Sequence, residues 1–225
     1  ERKQELKEAF KGLPYIRVTK DGNFLTSSIV EAHRINSPYI LEGENKTITD
    51  VLAKEFPKEI GIVNKKRFYE IVAKFDLNAL IHGVFISKSD YAGGRLRIPR
   101  ALSAFIEAAH INVAASGGVK NDSVDPSGDT AKGFGNVPFH REEFTSGEMI
   151  AYFSIDLEQI RSYGLPEDVT NLIILISLYK IRSFIDGGMR LRTACDLKVK
   201  SGYHYHSEND DSYVLPALIE LENAV

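Results

Sequence analysis

The sequence predicts a protein of the α+β class. Segments with the apolar spacing of a helix alternate along the chain with short segments in which polar and apolar residues alternate one by one, as in a strand. The dipeptide Asp21-Gly22 between two apolar segments is a signal for a tight hairpin, which joins strands in antiparallel order. A mixture of strand–helix–strand order and hairpins is typical of α+β folds.

The first third of the chain is predicted to contain this hairpin and three helices. Residues 15–18 and 24–25 flank Asp21-Gly22 as its strands. A helix is predicted over residues 27–35 and another over 49–56, which Pro57 ends. Asn64 is an N-cap candidate for a third helix over 65–75, whose apolar residues fall on one stripe.

The middle of the chain is predicted to alternate between strand and helix. The apolar segment 79–87 favours a strand, and residues 95–98 favour a second strand that follows a glycine pair. Pro99 suits the first turn of a helix, which is predicted over residues 100–110. Residues 150–155 are predicted to form another strand.

The last third is predicted to contain a long buried helix and one long strand. Pro166 precedes two acidic residues that open a helix to about residue 186, with apolar side chains on nearly every side. Residues 189–200 alternate between apolar and basic side chains, which predicts one strand with Cys195 as a buried thiol on its apolar face. A final short helix is predicted over 214–224.

Composition excludes several classes of protein. Of the 225 residues, 43% are hydrophobic and 26% charged, and the net charge of −3 disfavours a generally basic nucleic-acid coat protein. A single cysteine excludes an intrachain disulfide, which favours a reducing, cytoplasmic compartment. Neither a membrane span nor a phosphate-binding Walker loop, a GxSxG motif or an HExxH motif is present, so we expect no cofactor and no enzyme of those classes.

One motif occurs twice and is the strongest functional signal from the residues alone. Gly93-Gly94-Arg95-Leu96-Arg97 and Gly187-Gly188-Met189-Arg190-Leu191-Arg192 each place arginines on one face of a strand after a flexible glycine pair. Guanidinium groups on such a face bind phosphate as planar forks, which suits a nucleic-acid backbone. The alternative is a solvated sheet face whose arginines pair with nearby acidic residues.

Residues 116–138 form a glycine-rich segment too long for an ordinary connection, and we interpret it as a protruding element that orders on a partner. Lys120 and Lys132 suit phosphates, and Phe134 suits a nucleobase. The alternative is disorder without function. Three aspartates of this segment are candidates for general acid–base groups near a bound RNA, or else turn and helix caps: Asp122, Asp125 and Asp129.

Histidines give weaker signals. His82 and His110 fall in predicted core elements and are expected to be satisfied core histidines. One polar segment combines residue types that bind metals, but no second ligand pair matches it, so a metal site is not expected. Its members are His204, His206, Glu208, Asp210 and Asp211.

Several long motifs together resemble the backbone subunit of the CRISPR Cascade surveillance complex, in the type I-G (formerly I-U) branch of the RAMP superfamily. In chain order they are LIHGVFIS, GGRLRIPRALSAFIEA, SGGVKND, GFGNVPF, AYFSIDLEQIRSYGL and GGMRLRTACDL. The resemblance covers roughly residues 27–200. It implies a single RNA-binding domain over 1–225, with a modified RRM or ferredoxin-like palm and a flexible thumb at 116–138. Residues 1–26 do not match the family's first palm strand, so either the chain is truncated or that strand is divergent.

The resemblance also implies a function and its partners. The protein would be a non-catalytic scaffold that holds CRISPR RNA by its backbone, contacts the target DNA strand through the guide, and assembles with other copies of itself and other Cascade subunits. No membrane, metal or cofactor is implied. The RNA-binding residues would be His33, Arg34, Arg95, Arg97, Arg100, Lys120, Lys132, Phe134, Arg190 and Arg192. The alternatives are a metal-independent endoribonuclease that uses a thumb aspartate, as in type III relatives, and a protein–protein scaffold without nucleic acid.

Overall fold

The computed structural model describes residues 6–31, 35, 47–192, 195–200, 210 and 212–225. The chain divides into two compact units. We call the first unit, Glu1–Ser103 with Phe153–Val225, the body, and the second unit, Ala104–Tyr152, the arm. Helices and antiparallel strands both occur, which confirms the α+β class, and the described strands pair in four two-stranded sheets.

The body opens with the predicted hairpin, which is confirmed. Strands β1 (Arg17–Lys20) and β2 (Asn23–Ser27) pair antiparallel around a two-residue turn. Asp21 and Gly22 both have positive φ angles, 51° and 77°, as a type I′ turn requires. The helix predicted over 27–35 is wrong in its described part, because Ser27 ends β2 and the next residues form a turn.

Two of the predicted helices follow and are confirmed. Helix α1 spans Thr47–Glu55 and helix α2 spans Lys65–Phe75. The side chain of Asn64 accepts a hydrogen bond from the amide of Arg67 at 3.0 Å, and this N-cap fixes where α2 begins. The apolar stripe of α2 is buried, as its spacing predicts.

The strand predicted over 79–87 is wrong in its first half. Helix α3 spans Leu77–His82, and strand β3 is limited to Val84–Ile86. The carboxylate of Asp76 caps α3 by accepting from the amide of Asn78, and Gly83 ends the helix with a φ of 79°. A short apolar run fits a buried helix as well as a strand, so periodicity alone does not separate them.

The helix predicted over 100–110 is also wrong. Strand β4 (Leu96–Ile98) is confirmed, but Leu102–Lys120 form the long strand β5, which pairs with strand β6 (Val137–Ile155). Pairing with β6 supplies backbone hydrogen-bond partners to a segment whose apolar spacing suits a helix. The predicted strand over 150–155 is the end of β6.

The C-terminal part adds three helices and one more hairpin. Helix α4 (Leu157–Ser162) was not predicted, whereas helix α5 (Glu167–Asp186) is confirmed at both ends. The single strand predicted over 189–200 is wrong, because β7 (Met189–Arg192) pairs antiparallel with β8 (Cys195–Leu197). The helix predicted over 214–224 is confirmed as α6, Leu218–Ala224.

The hydrophobic core lies in the body, between α2, α3 and α5 and the inner face of the β3–β4 hairpin. Val72, Leu80, Ile81 and Ile173 have no exposed surface. The hydroxyl of Tyr163 donates to the carbonyl of Leu80 at 2.9 Å and is buried there. Within the described part of the chain, no helix combines the length and apolar character that crossing a bilayer requires.

Candidate nucleic-acid interface

The β3–β4 hairpin has one buried face and one outward face. Its register pairs Val84 with Ile98 and Ile86 with Leu96, and all four of these side chains are buried. Between them, Phe85 pairs with Arg97, and both side chains are exposed. The alternation that the sequence predicts for this arginine strand is therefore confirmed, and the hairpin presents an aromatic ring beside a guanidinium group.

Two glycines hold this hairpin at its ends. Gly83 and Gly94 have φ angles of 79° and 76°, which L side chains rarely adopt. A Cβ atom on Gly83 would lie 2.8 Å from the carbonyl oxygen of Ile98, and one on Gly94 would lie 2.8 Å from that of Ser87. The backbone approach at both ends therefore requires glycine, which explains the second glycine of the Gly93-Gly94 pair.

Arg95 serves the structure of this region. It lies before β4, after the short 3-10 turn Ala92–Gly94, and its Nε donates to the carbonyl of Ala92 at 2.8 Å. Its terminal nitrogens donate to the carbonyls of Ile60 and Gly61. With these donors used, Arg95 fixes the loop at residues 60–61 against the glycine turn.

All three arginines of this region are exposed, and Arg97 and Arg100 differ from Arg95 in the partners of their guanidinium groups. Arg95 donates to backbone carbonyls, whereas Arg97 and Arg100 have no carboxylate within 4.0 Å among the residues that the structure describes. Arg97 lies on the outward face of β4, and Arg100 follows two residues after that strand ends. Exposed guanidinium groups that have no carboxylate beside them are available to an anionic ligand.

The β7–β8 hairpin carries the second copy of the motif. Arg190 pairs with Asp196 across the hairpin, with their charged groups 3.5 Å apart, and its side chain is 69% exposed. An ion pair at this exposure is weak, so a phosphate can compete for Arg190. Arg192 ends β7, but its side chain lies outside the described residues. Cys195 is half-buried, less than the sequence predicts.

The arm carries the remaining described candidates. Lys120 is exposed at the end of β5, and Lys132 lies in the 3-10 turn Thr130–Lys132, 4.0 Å from a carboxylate oxygen of Asp129. Phe134 has 42% of its surface exposed. The glycine-rich segment is thus the end of β5, a folded loop and the start of β6.

The three aspartates of this loop hold its backbone. Asp122 accepts from the amides of Val124 at 2.8 Å and Gly135 at 3.1 Å, and these bonds lower its pKa. Asp125 accepts from the amide and hydroxyl of Ser127, and Asp129 accepts from an amide two residues further on. Their geometry is that of turn caps, which is one of the two interpretations that the sequence leaves open.

The surface of the arm is acidic and apolar. Three basic and seven acidic residues give it a net charge of −4. Large apolar side chains are exposed along both strands, among them Phe105, Val113 and Phe144, each more than 60% exposed. Such a surface suits a protein partner better than a polyanion, although Lys120, Lys132 and Phe134 lie close to the loop.

The histidine predictions have mixed outcomes. His82 is half-buried, with its Nε2 2.7 Å from the Nζ of Lys180, which confirms it as a satisfied core histidine. His110 is exposed on β5, so its predicted core position is wrong. His33, Arg34, His204, His206, Glu208 and Asp211 lie outside the described residues. Within the described ranges, no group of three or more His, Cys, Asp or Glu could hold a metal ion.

His82 belongs to a polar cluster inside the body. The hydroxyl of Ser28 donates to Asp76 Oδ1 at 3.0 Å, and the Nζ of Lys180 donates to Asn78 Oδ1 at 2.5 Å. Burial raises the pKa of Asp76 to about 6, although the Ser28 hydrogen bond and the Lys180 charge lower it. Burial lowers the pKa of Lys180 to about 8, although the Asp76 charge raises it. The cluster joins α3 to α5.

Sequence reasoning missed Phe85 as a candidate site residue. Its neighbours Val84 and Ile86 are apolar as well, so no polar residue marks which side chain of β3 points outward. The register with Arg97 supplies that information. The structure thus places Phe85 opposite Arg97 on one hairpin and Arg100 two residues beyond its end. It uses the donors of Arg95 on backbone carbonyls and places Arg190 on another hairpin.

Comparison with known families agrees with a CRISPR context. The family model for the CRISPR-associated protein GSU0053 matches residues 1–113, half of the chain. The matched part contains the whole β3–β4 hairpin with its exposed arginines. No curated protein matches the sequence. The chain belongs to the CRISPR-associated GSU0053 family and so takes part in a CRISPR system.

Proposed function

We propose that this chain is a non-catalytic, cytoplasmic scaffold subunit of a type I Cascade surveillance complex, which binds CRISPR RNA by its backbone in antiviral defence. The observation that carries the proposal is a pair of exposed arginines that have no carboxylate partner among the described residues of a CRISPR-associated protein. Arg97 lies on the outward face of β4, and Arg100 lies two residues beyond the end of that strand. Arg190, on an exposed hairpin with a glycine lead-in like that of Arg97, supports the proposal.

Backbone binding explains how one protein serves many guides. Arginine forks bind phosphates regardless of sequence, and the base edges stay free to pair with the invading DNA strand. Sequence choice is then delegated to base pairing, as in other RNA-guided effectors. Affinity for RNA is expected to depend on length, to tolerate sequence changes and to fall steeply with salt.

In this proposal the arm corresponds to the thumb and the body corresponds to the palm. The partners are other copies of the chain and other Cascade subunits. An isolated two-stranded ribbon is marginally stable in water, and exposed apolar side chains on both strands call for a partner surface. A neighbouring copy along the RNA is the partner we propose for it.

The aspartates of the arm support a scaffold rather than an endoribonuclease. Their carboxylates accept hydrogen bonds from the amides of their own loop, which is the role of turn residues. A general base instead needs its carboxylate directed at the substrate.

The test is to express the chain together with a CRISPR array, purify it, and extract the nucleic acid that it carries. We expect RNase-sensitive RNA of uniform length that includes spacer sequence. Protein that is free of RNA under these conditions, with no gel shift at low salt, would favour a protein–protein scaffold and overturn the proposal. Periodic cuts in a complementary RNA that are lost in Asp125→Ala would establish the nuclease.

A further inference from the structure

We infer that the ring of Phe85 is a stacking platform for one nucleobase of a bound single-stranded RNA, with Arg97 on the phosphate of the same nucleotide. The inference rests on the proposed function and adds to it a base-contacting residue. The juxtaposition that carries it is an exposed phenylalanine directly opposite an arginine that has no carboxylate partner among the described residues.

The exposure of Phe85 is specific to its position. The side chain is 54% exposed, whereas Val84 and Ile86 on either side of it are buried in the core. These two neighbours anchor the strand and direct the ring outward. An aromatic ring in this position offers a π-face to a base, and stacking of this kind tolerates any sequence because every base has such a face.

The charge beside the ring selects the ligand. Directly opposite residues of an antiparallel pair have their Cβ atoms about 5 Å apart, so the long side chain of Arg97 reaches the phosphate of a nucleotide whose base lies on Phe85. Arg100, which also lacks a carboxylate partner within the described part of the chain, adds a second cation beyond the end of β4. Aromatic ring and guanidinium together match a base joined to its phosphate.

The hairpin is organised before any ligand arrives. Gly83 and Gly94 hold both ends by close backbone approaches, and Arg95 ties the adjoining loop through three carbonyl groups. Little conformational freedom of the backbone is therefore lost when a strand binds, which favours affinity.

The test compares two fluorescent probes of equal length and charge: an RNA of uridines and a strand of abasic nucleotides. We expect Phe85→Ala to weaken binding of the uridine strand about 5- to 100-fold and to leave the abasic strand unchanged. Phe85→Tyr should keep the affinity for the uridine strand, whereas Phe85→Leu should weaken it as Phe85→Ala does. Leu25→Ala, which truncates a 49% exposed side chain on a strand of another hairpin, is the control. Unchanged melting temperatures show that every variant is folded.

The outcomes separate this inference from the proposed function. If Phe85→Ala weakens the binding of both probes equally, the ring supports the fold of the hairpin. If the affinity for the uridine strand is unchanged in Phe85→Ala but falls in Arg97→Ala, RNA binds elsewhere on this surface. Either result overturns the stacking site and leaves the proposed function standing. Failure of the wild-type protein to bind either probe overturns both, and would assign this face to a protein partner.

Discussion

At the scale of single residues, two arginines of one motif have different roles. Arg95 and Arg97 are equivalent in the sequence pattern, but the donors of Arg95 satisfy backbone carbonyls, whereas Arg97 is exposed without an acidic partner among the described residues. The difference comes from the loop at residues 60–61, which is far away in sequence. Periodicity predicts which face a side chain occupies, but it does not predict which distant backbone groups that face meets.

The buried pair of Asp76 and Lys180 predicts how stability depends on pH. The folded pKa of Asp76, about 6, lies above its ordinary value of 3.8, so its contribution is fully present below about pH 4 and is lost as pH rises through 6. The folded pKa of Lys180, about 8, lies below its ordinary value of 10.5, so its contribution is present above about pH 10.5 and is lost as pH falls through 8. Their combined contribution to the free energy of unfolding is smallest between pH 6 and 8.

Urea unfolding at a series of pH values checks this, with Asp76→Asn as the matched variant because its amide oxygen keeps the hydrogen bonds from Ser28 and from the amide of Asn78. The wild type should lose on the order of 3 kcal/mol relative to the variant between pH 4 and 7. The folded pKa of Lys180, about 8, lies above this pH range, so the titration of Asp76 dominates the difference. A difference that is constant with pH would contradict the raised pKa.

At the scale of elements, local signals predicted well and non-local ones did not. The Asp21-Gly22 turn and the Asn64 cap lie within the elements that they define, and both predictions are confirmed. The helix predicted over 100–110 is wrong because the hydrogen-bond partners of β5 come from β6, beyond a long loop. The candidate site shows the same division: the sequence pattern predicts Arg97 of β4, but identifying Phe85 requires the register of the hairpin.

The β3–β4 hairpin supplies a prediction about its glycines. Gly83→Ala should lower the free energy of unfolding by at least about 2 kcal/mol, because the new Cβ meets the Ile98 carbonyl at a positive φ angle. Gly61→Ala is the control, since its Cβ would meet nothing within 4 Å and its φ is not positive. Chemical denaturation measures both variants, and equal stabilities would show that the hairpin does not depend on this close approach.

At the scale of the whole molecule, charge is divided unevenly between the two units. Of the 28 basic and 31 acidic residues in the chain, 3 and 7 lie in the arm, which leaves a net charge of +1 for the body. A net charge of −3 is therefore compatible with the proposed RNA binding, because a local field and not the total charge meets the ligand. The net charge disfavours only a generally basic nucleic-acid coat protein, and the separation into units shows where the excess of acidic residues lies.

Replacing residues 104–152 by a short glycine–serine linker tests this division of roles. The buried core lies entirely within the body, so the variant should still unfold cooperatively, with a melting temperature within a few degrees of that of the wild type. It should bind short RNA but no longer assemble into longer oligomers on a long RNA. Circular dichroism and analytical ultracentrifugation measure the two effects, and loss of cooperative unfolding would show that the arm belongs to the fold of the body.

The most direct measurement of RNA-backbone binding is the salt dependence of affinity for two unrelated single-stranded RNAs. Arg97→Ala with Arg100→Ala should weaken binding of both RNAs equally and reduce the slope of log affinity against log salt by about 1.4, since each phosphate that is no longer neutralised removes about 0.7. Arg161→Ala is the control, because that arginine is paired with Glu158. An unchanged slope in the double variant, or weaker binding of only one of the two RNAs, would contradict the account.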